Sequence, residues 1–196
     1  EAVTGGWLTG PGSVQDAFAE LVQGLLREGP LAVGIDAPRR PLAGPRTHAF
    51  RGGLGGSWGP MAGVGWGRHC EVVVKSLGLG NPQWTRPAGE EPAWMSLGFA
   101  LFQGAEAAGA DPVLEVFPSA AYRALEGASE VVRVPAGALA PGPKDVLDAT
   151  MAAATVRRVL EGEGAELGGG DGLGTIALPR RLTREEAASA VHRWPE

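Results

Sequence analysis

The pattern of apolar and polar residues along this chain predicts six helices. The first covers residues 13–28 and ends before Gly29 and Pro30, which disfavour helix. Its apolar face is expected to contain Phe18, Leu21, Val22 and Leu25. The other predicted helices cover 68–77, 93–108, 120–126, 144–164 and 184–193. In the helix at 93–108, the residues predicted to face inward are Trp94, Leu97, Leu101 and Phe102.

Two short apolar runs lack polar alternation, which is typical of buried parallel strands. They are LAVGID at 31–36 and VLEVF at 113–117. Residues 175–179 are predicted to form a short strand or an extended segment. Because helices are interspersed with buried strands, the pattern indicates an α/β fold.

The length of 196 residues suits a single domain. Residues 39–92 are interpreted as a loop-and-helix insertion within that domain, since they are rich in glycine and proline. Long connections of this kind are often functional.

Composition narrows the classes of protein. The net charge of -5 excludes a chain that is basic throughout, so any contact with nucleic acid requires a local basic patch. The single cysteine, Cys70, excludes an internal disulfide and a cysteine-based zinc cluster, which suggests the reducing cytoplasm. No apolar run approaches the roughly 20 residues that cross a bilayer, so no membrane association is expected.

Carboxylates on the predicted strands are the first candidates for chemistry. Asp36 ends one apolar strand and Glu115 lies within another. A buried carboxylate is costly unless it is paired or bound to a cation. In open α/β sheets, ligands bind beyond the carboxyl ends of the strands, which predicts a shared site for these two residues. The alternative is that each carboxylate caps a helix or pairs with an arginine.

Asp145 and Asp148 are predicted in the first turn of the helix at 144–164. The helix dipole alone explains acidic residues there. However, Asp148 precedes a run of small residues that would allow close packing against a sheet and bring Asp148 to the strand-end carboxylates. The small residues are Ala149, Ala152, Ala153 and Ala154.

Residues 37–70 contain five arginines and no acidic residue, together with two histidines and two tryptophans. Such a segment can bind phosphates and stack on bases, or it can pair with acidic residues elsewhere in the chain. The arginines are Arg39, Arg40, Arg46, Arg51 and Arg68; the other residues are His48, His69, Trp58 and Trp66. Arg39, Arg40, Arg46 and Arg68 are the candidates for substrate binding.

Two weaker signals have simpler explanations. The glycine-rich segment at 168–174 lacks the lysine and the preceding strand of a phosphate-binding loop, which favours a turn. Cys70 lies next to His69, but adjacent residues on a helix do not face each other, so a buried structural cysteine is expected rather than a nucleophile.

An ordered set of motifs resembles a family of predicted RNase-H-like nucleases catalogued as domain of unknown function 429. The motifs are GIDAP at 34–38, GRHCE at 67–71, the helix from Met95 to Leu101, EVFP at 115–118, KDVLDA at 144–149 and IALP at 176–179. The resemblance implies a mixed sheet of about five strands with helices on both faces. GGW at 5–7 resembles the segment after the family's first strand, so the family's first-strand aspartate would lie at or before Glu1.

The resemblance also implies a metal site made by Asp36, Glu115 and Asp148, with Mg²⁺ or Mn²⁺ as cofactor and phosphodiester hydrolysis of DNA or RNA as the reaction. Asp145 is a secondary candidate, and Glu71 is another because it shares a family motif with Arg68. Two alternatives remain open: a domain that binds nucleic acid or protein without cleavage, and a phosphotransferase of the actin-like type.

Overall fold

The computed structural model describes residues 14–61, 67–126 and 144–195. The predictions for Glu1, for GGW at 5–7, for position 13 of the first helix and for Trp66 concern residues outside these ranges. Six α-helices are found among the described residues: α1 (Val14–Leu26), α2 (His69–Ser76), α3 (Ala93–Ala108), α4 (Pro118–Leu125), α5 (Lys144–Leu160) and α6 (Arg184–Ala188). A 3-10 helix at Ala190–His192 follows α6. None of these helices has the length and apolar character that a membrane span requires.

The described strands form three pairs. They are β1 (Val33–Ile35), β2 (His48–Arg51), β3 (Ser57–Pro60), β4 (Val113–Glu115), β5 (Ala165–Gly168) and β6 (Thr175–Leu178). Strands β1 and β4 are parallel, whereas β2–β3 and β5–β6 are antiparallel hairpins. One isolated parallel bridge, between Val116 and Ala177, joins the β1–β4 pair to the β5–β6 pair.

The α/β class is therefore confirmed, but the described residues do not form a continuous sheet of about five strands. Strand β4 ends at Glu115, Val116 forms the bridge to Ala177, and α4 begins at Pro118 only two residues later, so the pairing with β6 does not extend further. Proline has no backbone N–H and cannot extend a strand ladder.

Helices cover both faces of the β1–β4 pair. Side chains of a strand alternate between faces, and here Ile35 and Val113 pack with α1 and α3. Leu114 and Val116 point to the other face, where they pack with α5. This alternation also separates the two strand-end carboxylates.

Two predicted helix faces are wrong in part: Phe18, Val22, Leu101 and Phe102 belong to the core as predicted, but the other predicted residues do not. In α1, Val22 is buried but Leu21 and Leu25 are 49% and 39% exposed. In α3, Trp94 and Leu97 are exposed, whereas the buried face includes Met95, Phe99, Phe102 and Ala105.

The phase of α3 is set by its glycines. A Cβ atom at Gly98 would lie 2.3 Å from the Cβ of Ala37, and one at Gly104 would lie 2.6 Å from the Gln15 carbonyl oxygen. Close approach at these glycines turns Trp94 and Leu97 towards solvent.

The segment at 39–92 contains a strand hairpin that the sequence pattern does not indicate. Strands β2 and β3 pair from His48–Pro60 to Arg51–Ser57, and Phe50 meets Trp58 edge to face at 5.3 Å between ring centroids. Glycine and proline dominate this segment and conceal the hairpin. Similarly, α5 ends at Leu160 and the chain turns at Gly162 (φ +73°) into β5, so the predicted helix at 144–164 is too long.

Candidate acidic site at the ends of two parallel strands

Asp36 and Glu115 lie at the same edge of the parallel pair. Ile35 is the register partner of Glu115, and Asp36 directly follows Ile35. Neighbouring residues of a strand point to opposite faces, so Glu115 points with Ile35 towards α3, whereas Asp36 points towards α5. The structure therefore brings both carboxylates to one edge but places them on opposite faces.

Glu115 forms a buried ion pair with Arg68, the residue that precedes α2. Arg68 Nη1 donates to Glu115 Oε2 at 2.6 Å, and Arg68 Nη2 donates to Glu115 Oε1. The Arg39 amide also donates to Glu115 Oε2, at 2.9 Å. Both carboxylate oxygens are thus engaged. The structure shows the arginine-pairing alternative for Glu115, whose role as a metal ligand would require it to leave Arg68.

A second carboxylate, Glu71, completes the surroundings of Arg68. Glu71 Oε1 accepts from Arg68 Nε at 3.2 Å and from Nη2 at 3.1 Å. Its other oxygen accepts from the amides of Arg68 at 2.9 Å and Thr85 at 3.1 Å. Thr85 also donates its hydroxyl to Glu71, and its Oγ1 accepts from Arg68 Nε at 3.0 Å. Arg68, Glu71, Thr85 and Glu115, which we call the Arg68 network, are all buried.

Burial and pairing oppose each other in the Arg68 network. Burial raises the pKa of Glu115, and the charge and hydrogen bonds of Arg68 act against that rise. For Arg68, burial alone would lower the pKa, but the charges of Glu115 and Glu71 and the hydrogen bond to Glu115 hold it well above its usual value. Arg68 therefore stays charged and neutralises one of two buried carboxylates.

Asp148 lies on the same face as Asp36. It is a buried residue in the second turn of α5, and it accepts hydrogen bonds from the hydroxyl of Tyr122 at 3.1 Å and from the ammonium of Lys144. The Lys144 side chain is 72% exposed, whereas that of Asp148 is 11% exposed. We call Asp36, Asp148, Lys144 and Tyr122 the acidic edge.

Asp36 has an altered proton affinity. Asp36 is an exposed residue, yet its pKa rises from 3.8 to about 6. Partial desolvation is the largest cause, and repulsion by Asp148 is next; Lys144 lowers the pKa, while Glu115 and Asp145 raise it. Asp36 and Asp148 therefore repel each other at this edge, and among the causes of the Asp36 shift the exposed Lys144 is the cation that acts against this repulsion.

Close packing of α5 on β1 brings Asp148 to this position. A Cβ atom at Gly34 would lie 2.8 Å from Val156 Cγ2 and 3.2 Å from the Ala152 carbonyl oxygen. Of the small residues predicted to make this contact, Ala152 is buried in it, while Ala149 and Ala153 are exposed. The helix thus packs on the strand as predicted, but through Gly34 and Ala152. Asp145 is exposed.

Three of the four arginines predicted to bind substrate are engaged within the protein. Arg68 is fully buried in its network, and Arg46 forms an ion pair with the buried Asp171. Arg39 donates to the Val113 carbonyl oxygen. Arg40 is exposed and has no partner among the described residues.

The remaining weak signals have structural roles. The glycine-rich segment is the β5–β6 turn, where Asp171 accepts from the His69 amide at 2.8 Å and from the Leu173 amide at 3.1 Å. The Gly170 amide donates to His69 Nδ1 at 3.0 Å. Cys70 is fully buried, and burial raises the pKa of its thiol well above the usual value. This agrees with the structural interpretations of the turn and of Cys70, although the expectation that no strand precedes the glycine-rich segment was wrong, because β5 leads into it.

The carboxylate oxygens of Asp36 and Asp148 are the groups at the acidic edge that could hold a cation. The part of the chain that the structure describes contains no group of three His, Cys, Asp or Glu side chains arranged to hold a metal ion. Mg²⁺ commonly binds through one or two carboxylates and retains several waters. Asp36 and Asp148 fit that requirement, whereas Glu115 is held by Arg68.

Sequence reasoning missed Tyr122 and Thr85. Tyr122 is the single tyrosine of the chain, and its position in a short helix gave no indication that it donates to Asp148. Thr85 lies in an irregular segment 14 residues from Glu71. For Arg68 and Glu71 there was a signal, their i, i+3 spacing in the GRHCE motif.

Comparison with other proteins identifies no similar protein. No protein-family model matches the chain, and neither curated proteins nor solved structures give a significant match.

Proposed function

We propose that this chain is a divalent-metal-dependent phosphodiesterase of RNase-H-like type, with Asp36 and Asp148 as the metal ligands. One observation carries the proposal: at the carboxyl end of β1, the charge of Asp148 helps to raise the pKa of Asp36, and the cation paired with Asp148 is the exposed Lys144. A bound Mg²⁺ or Mn²⁺ would relieve this repulsion.

The chain's own residues supply distinct roles in this proposal. Asp36 and Asp148 hold the cation, and Tyr122 orients Asp148 through its hydrogen bond. When bound, the metal stabilises negative charge on the phosphate and generates a nucleophilic water. The Arg68 network holds Glu115 and the Arg39 amide in place behind this site. Lys144 must leave Asp148 for the metal to bind that oxygen.

The actin-like alternative has less support. It needs backbone amides that are free to bind phosphate, and the turn at 168–174 uses the amides of Gly170, Gly172 and Leu173 within the protein. Contact between the arginine-rich segment and nucleic acid remains a prediction, for which Arg40 and Arg51 are exposed.

Thermal unfolding with and without Mn²⁺ tests the metal site. A ligand that binds only the folded state stabilises it by about 2.7 kcal/mol at one hundred times Kd. We expect Mn²⁺ to stabilise the wild-type protein and to have no effect on Asp36→Asn or Asp148→Asn. Glu161→Gln is the matched control, since it removes one carboxylate at the other end of α5.

Cleavage of labelled single-stranded DNA and RNA in Mn²⁺ then tests the reaction. Cleavage that Asp36→Asn abolishes supports the phosphodiesterase. Metal stabilisation without cleavage favours the alternative of a binding domain. If Mn²⁺ stabilises neither the wild-type protein nor Glu161→Gln, the metal site is wrong.

A further inference from the structure

A cleft of about 680 Å³ lies on the α3 face of the β1–β4 pair, opposite the acidic edge. Its walls come from the segment after β1, the segment before α3, α3 itself and Leu173 of the β5–β6 turn. Residues that line it include Arg39, Arg40, Pro41, Pro87, Gln103 and Glu106. Its volume is in the range of small-molecule sites, about 300–1,000 Å³.

Arg39 is fixed at this cleft but incompletely paired. Its guanidinium lies over the Phe102 ring, 5.1 Å from the centroid, and donates to the Val113 carbonyl oxygen. Its Nε atom is buried and makes no hydrogen bond within the described structure. The carboxylate paired with it is Glu106, whose Oε1 is 3.8 Å from Nε, beyond hydrogen-bond distance. A buried donor without a partner is costly, so an acceptor closer than Glu106 would be stabilising.

Glu106 can be replaced in this position. Its side chain is 41% exposed, and that of Arg39 is 24% exposed. Arg40 lines the same cleft and has no partner among the described residues. Two guanidinium groups and one loosely held carboxylate leave an excess of positive charge, while Pro41 and Pro87 provide apolar walls.

We infer that this cleft binds a small organic anion, a phosphate or carboxylate, with its charged group between Arg39 and Arg40. The apolar part of the ligand lies against Pro41 and Pro87, and the anion displaces Glu106 from Arg39. The inference is independent of the metal site, because Asp36 and Asp148 are on the opposite face of the strands.

Ligand-observed NMR titration with phenyl phosphate, benzoate and inorganic phosphate, in buffer containing EDTA, tests this site. Phenyl phosphate or benzoate should bind saturably, and inorganic phosphate should bind more weakly because it buries no apolar surface. Asp36→Asn should bind like the wild type, which keeps this test separate from the metal site. If phenyl phosphate binds more tightly than benzoate, the cleft prefers a phosphate; the reverse order indicates a carboxylate.

Three variants locate the binding. Arg40→Gln should weaken it about tenfold, as expected for one charge-assisted hydrogen bond. Glu106→Gln should tighten it up to about fivefold, because a half-exposed competing charge is removed. Arg51→Gln is the control, with the same charge change at an exposed arginine of the β2–β3 hairpin, and should bind like the wild type. The proposal is overturned if neither organic anion binds saturably, if inorganic phosphate binds as tightly as they do, or if Arg40→Gln and Arg51→Gln behave alike.

Discussion

The Arg68 network and the acidic edge lie at the same end of the β1–β4 pair, yet they treat their carboxylates in different ways. In the network, Glu115 and Glu71 share a buried arginine, a threonine and backbone amides. At the acidic edge, the charge of Asp148 raises the pKa of Asp36, and the exposed Lys144 pairs with Asp148. Charges that the fold itself satisfies stabilise structure, whereas carboxylates left in mutual repulsion are available to bind a cation.

The largest difference between the two regions is expected in the free energy of unfolding, which Arg68→Met should lower strongly. Removing one partner of a buried ion pair costs about 3–5 kcal/mol, since the other charge remains buried without compensation. Here Glu115 and Glu71 would both lose their cation. Urea unfolding should show this loss, and Arg40→Met, at an exposed arginine, should change the free energy of unfolding by less than about 0.5 kcal/mol. A loss below about 1 kcal/mol for Arg68→Met would mean that the network does not stabilise the fold.

A change of opposite sign is expected from Asp36→Asn in the metal-free protein. The folded-state pKa of Asp36 is raised to about 6, so ionisation of this group opposes folding as pH rises from 3.8 through about 6. The variant should be more stable than the wild type at pH 7, by about 1 kcal/mol after allowance for solvent screening. The difference should vanish below pH 3.8, where Asp36 is protonated in both states. Urea unfolding of both proteins from pH 3.5 to 8 checks this, and an Asp36→Asn that is less stable at pH 7 would contradict it.

A smaller effect on folding stability is expected from substitution of His69, which follows Arg68 at the start of α2. Burial lowers the pKa of this histidine, which accepts from the Gly170 amide and is 2.7 Å from the Val191 carbonyl oxygen through Nε2. Because the folded state disfavours the protonated form, wild-type stability should fall relative to His69→Gln as pH drops below 6.5, the usual histidine value. Lowering the pH should therefore reduce the repulsion between Asp36 and Asp148, and it should destabilise the region of α2 that contains His69. Urea unfolding of both proteins between pH 5 and 7.5 measures this. If the free energy of unfolding depends on pH in the same way in both, the prediction for His69 is wrong.

The smallest effect is expected from Lys144→Gln. This exposed ammonium lowers the pKa of Asp36, so its removal should raise that pKa further without a large change in fold stability. NMR titration of the Asp36 carboxyl carbon measures the shift directly. Arg157→Gln, which removes an exposed cation later in α5, should leave the titration unchanged. A titration that is identical in Lys144→Gln and the wild type would remove Lys144 from the acidic edge.

Sequence patterns located the regular elements well where apolar periodicity was strong. The helix predicted at 93–108 has the observed bounds, and the predicted strands contain β1, β4 and β6. Patterns failed where small residues set the geometry: Gly98 and Gly104 turned α3, and the β2–β3 hairpin lay in a glycine-rich segment. A hydrophobic pattern is determined by the positions of large apolar side chains. Close packing of two elements depends instead on positions without a side chain, such as glycines, which give no signal in that pattern.

The sequence by itself determined which carboxylates could meet. Asp36 had to lie at the end of a buried strand, Glu115 on another, and Asp148 near the start of a helix, because periodicity and helix signals fix those local positions. Only the tertiary structure decided which of them share a site. The register that pairs Ile35 with Glu115 places Glu115 and Asp36 on opposite faces, and a shift of one residue would have reversed this. Arg68 then reached Glu115 across 47 positions of the chain, a pairing that no local pattern specifies, because it depends on how α2 packs and not on the residues beside either partner.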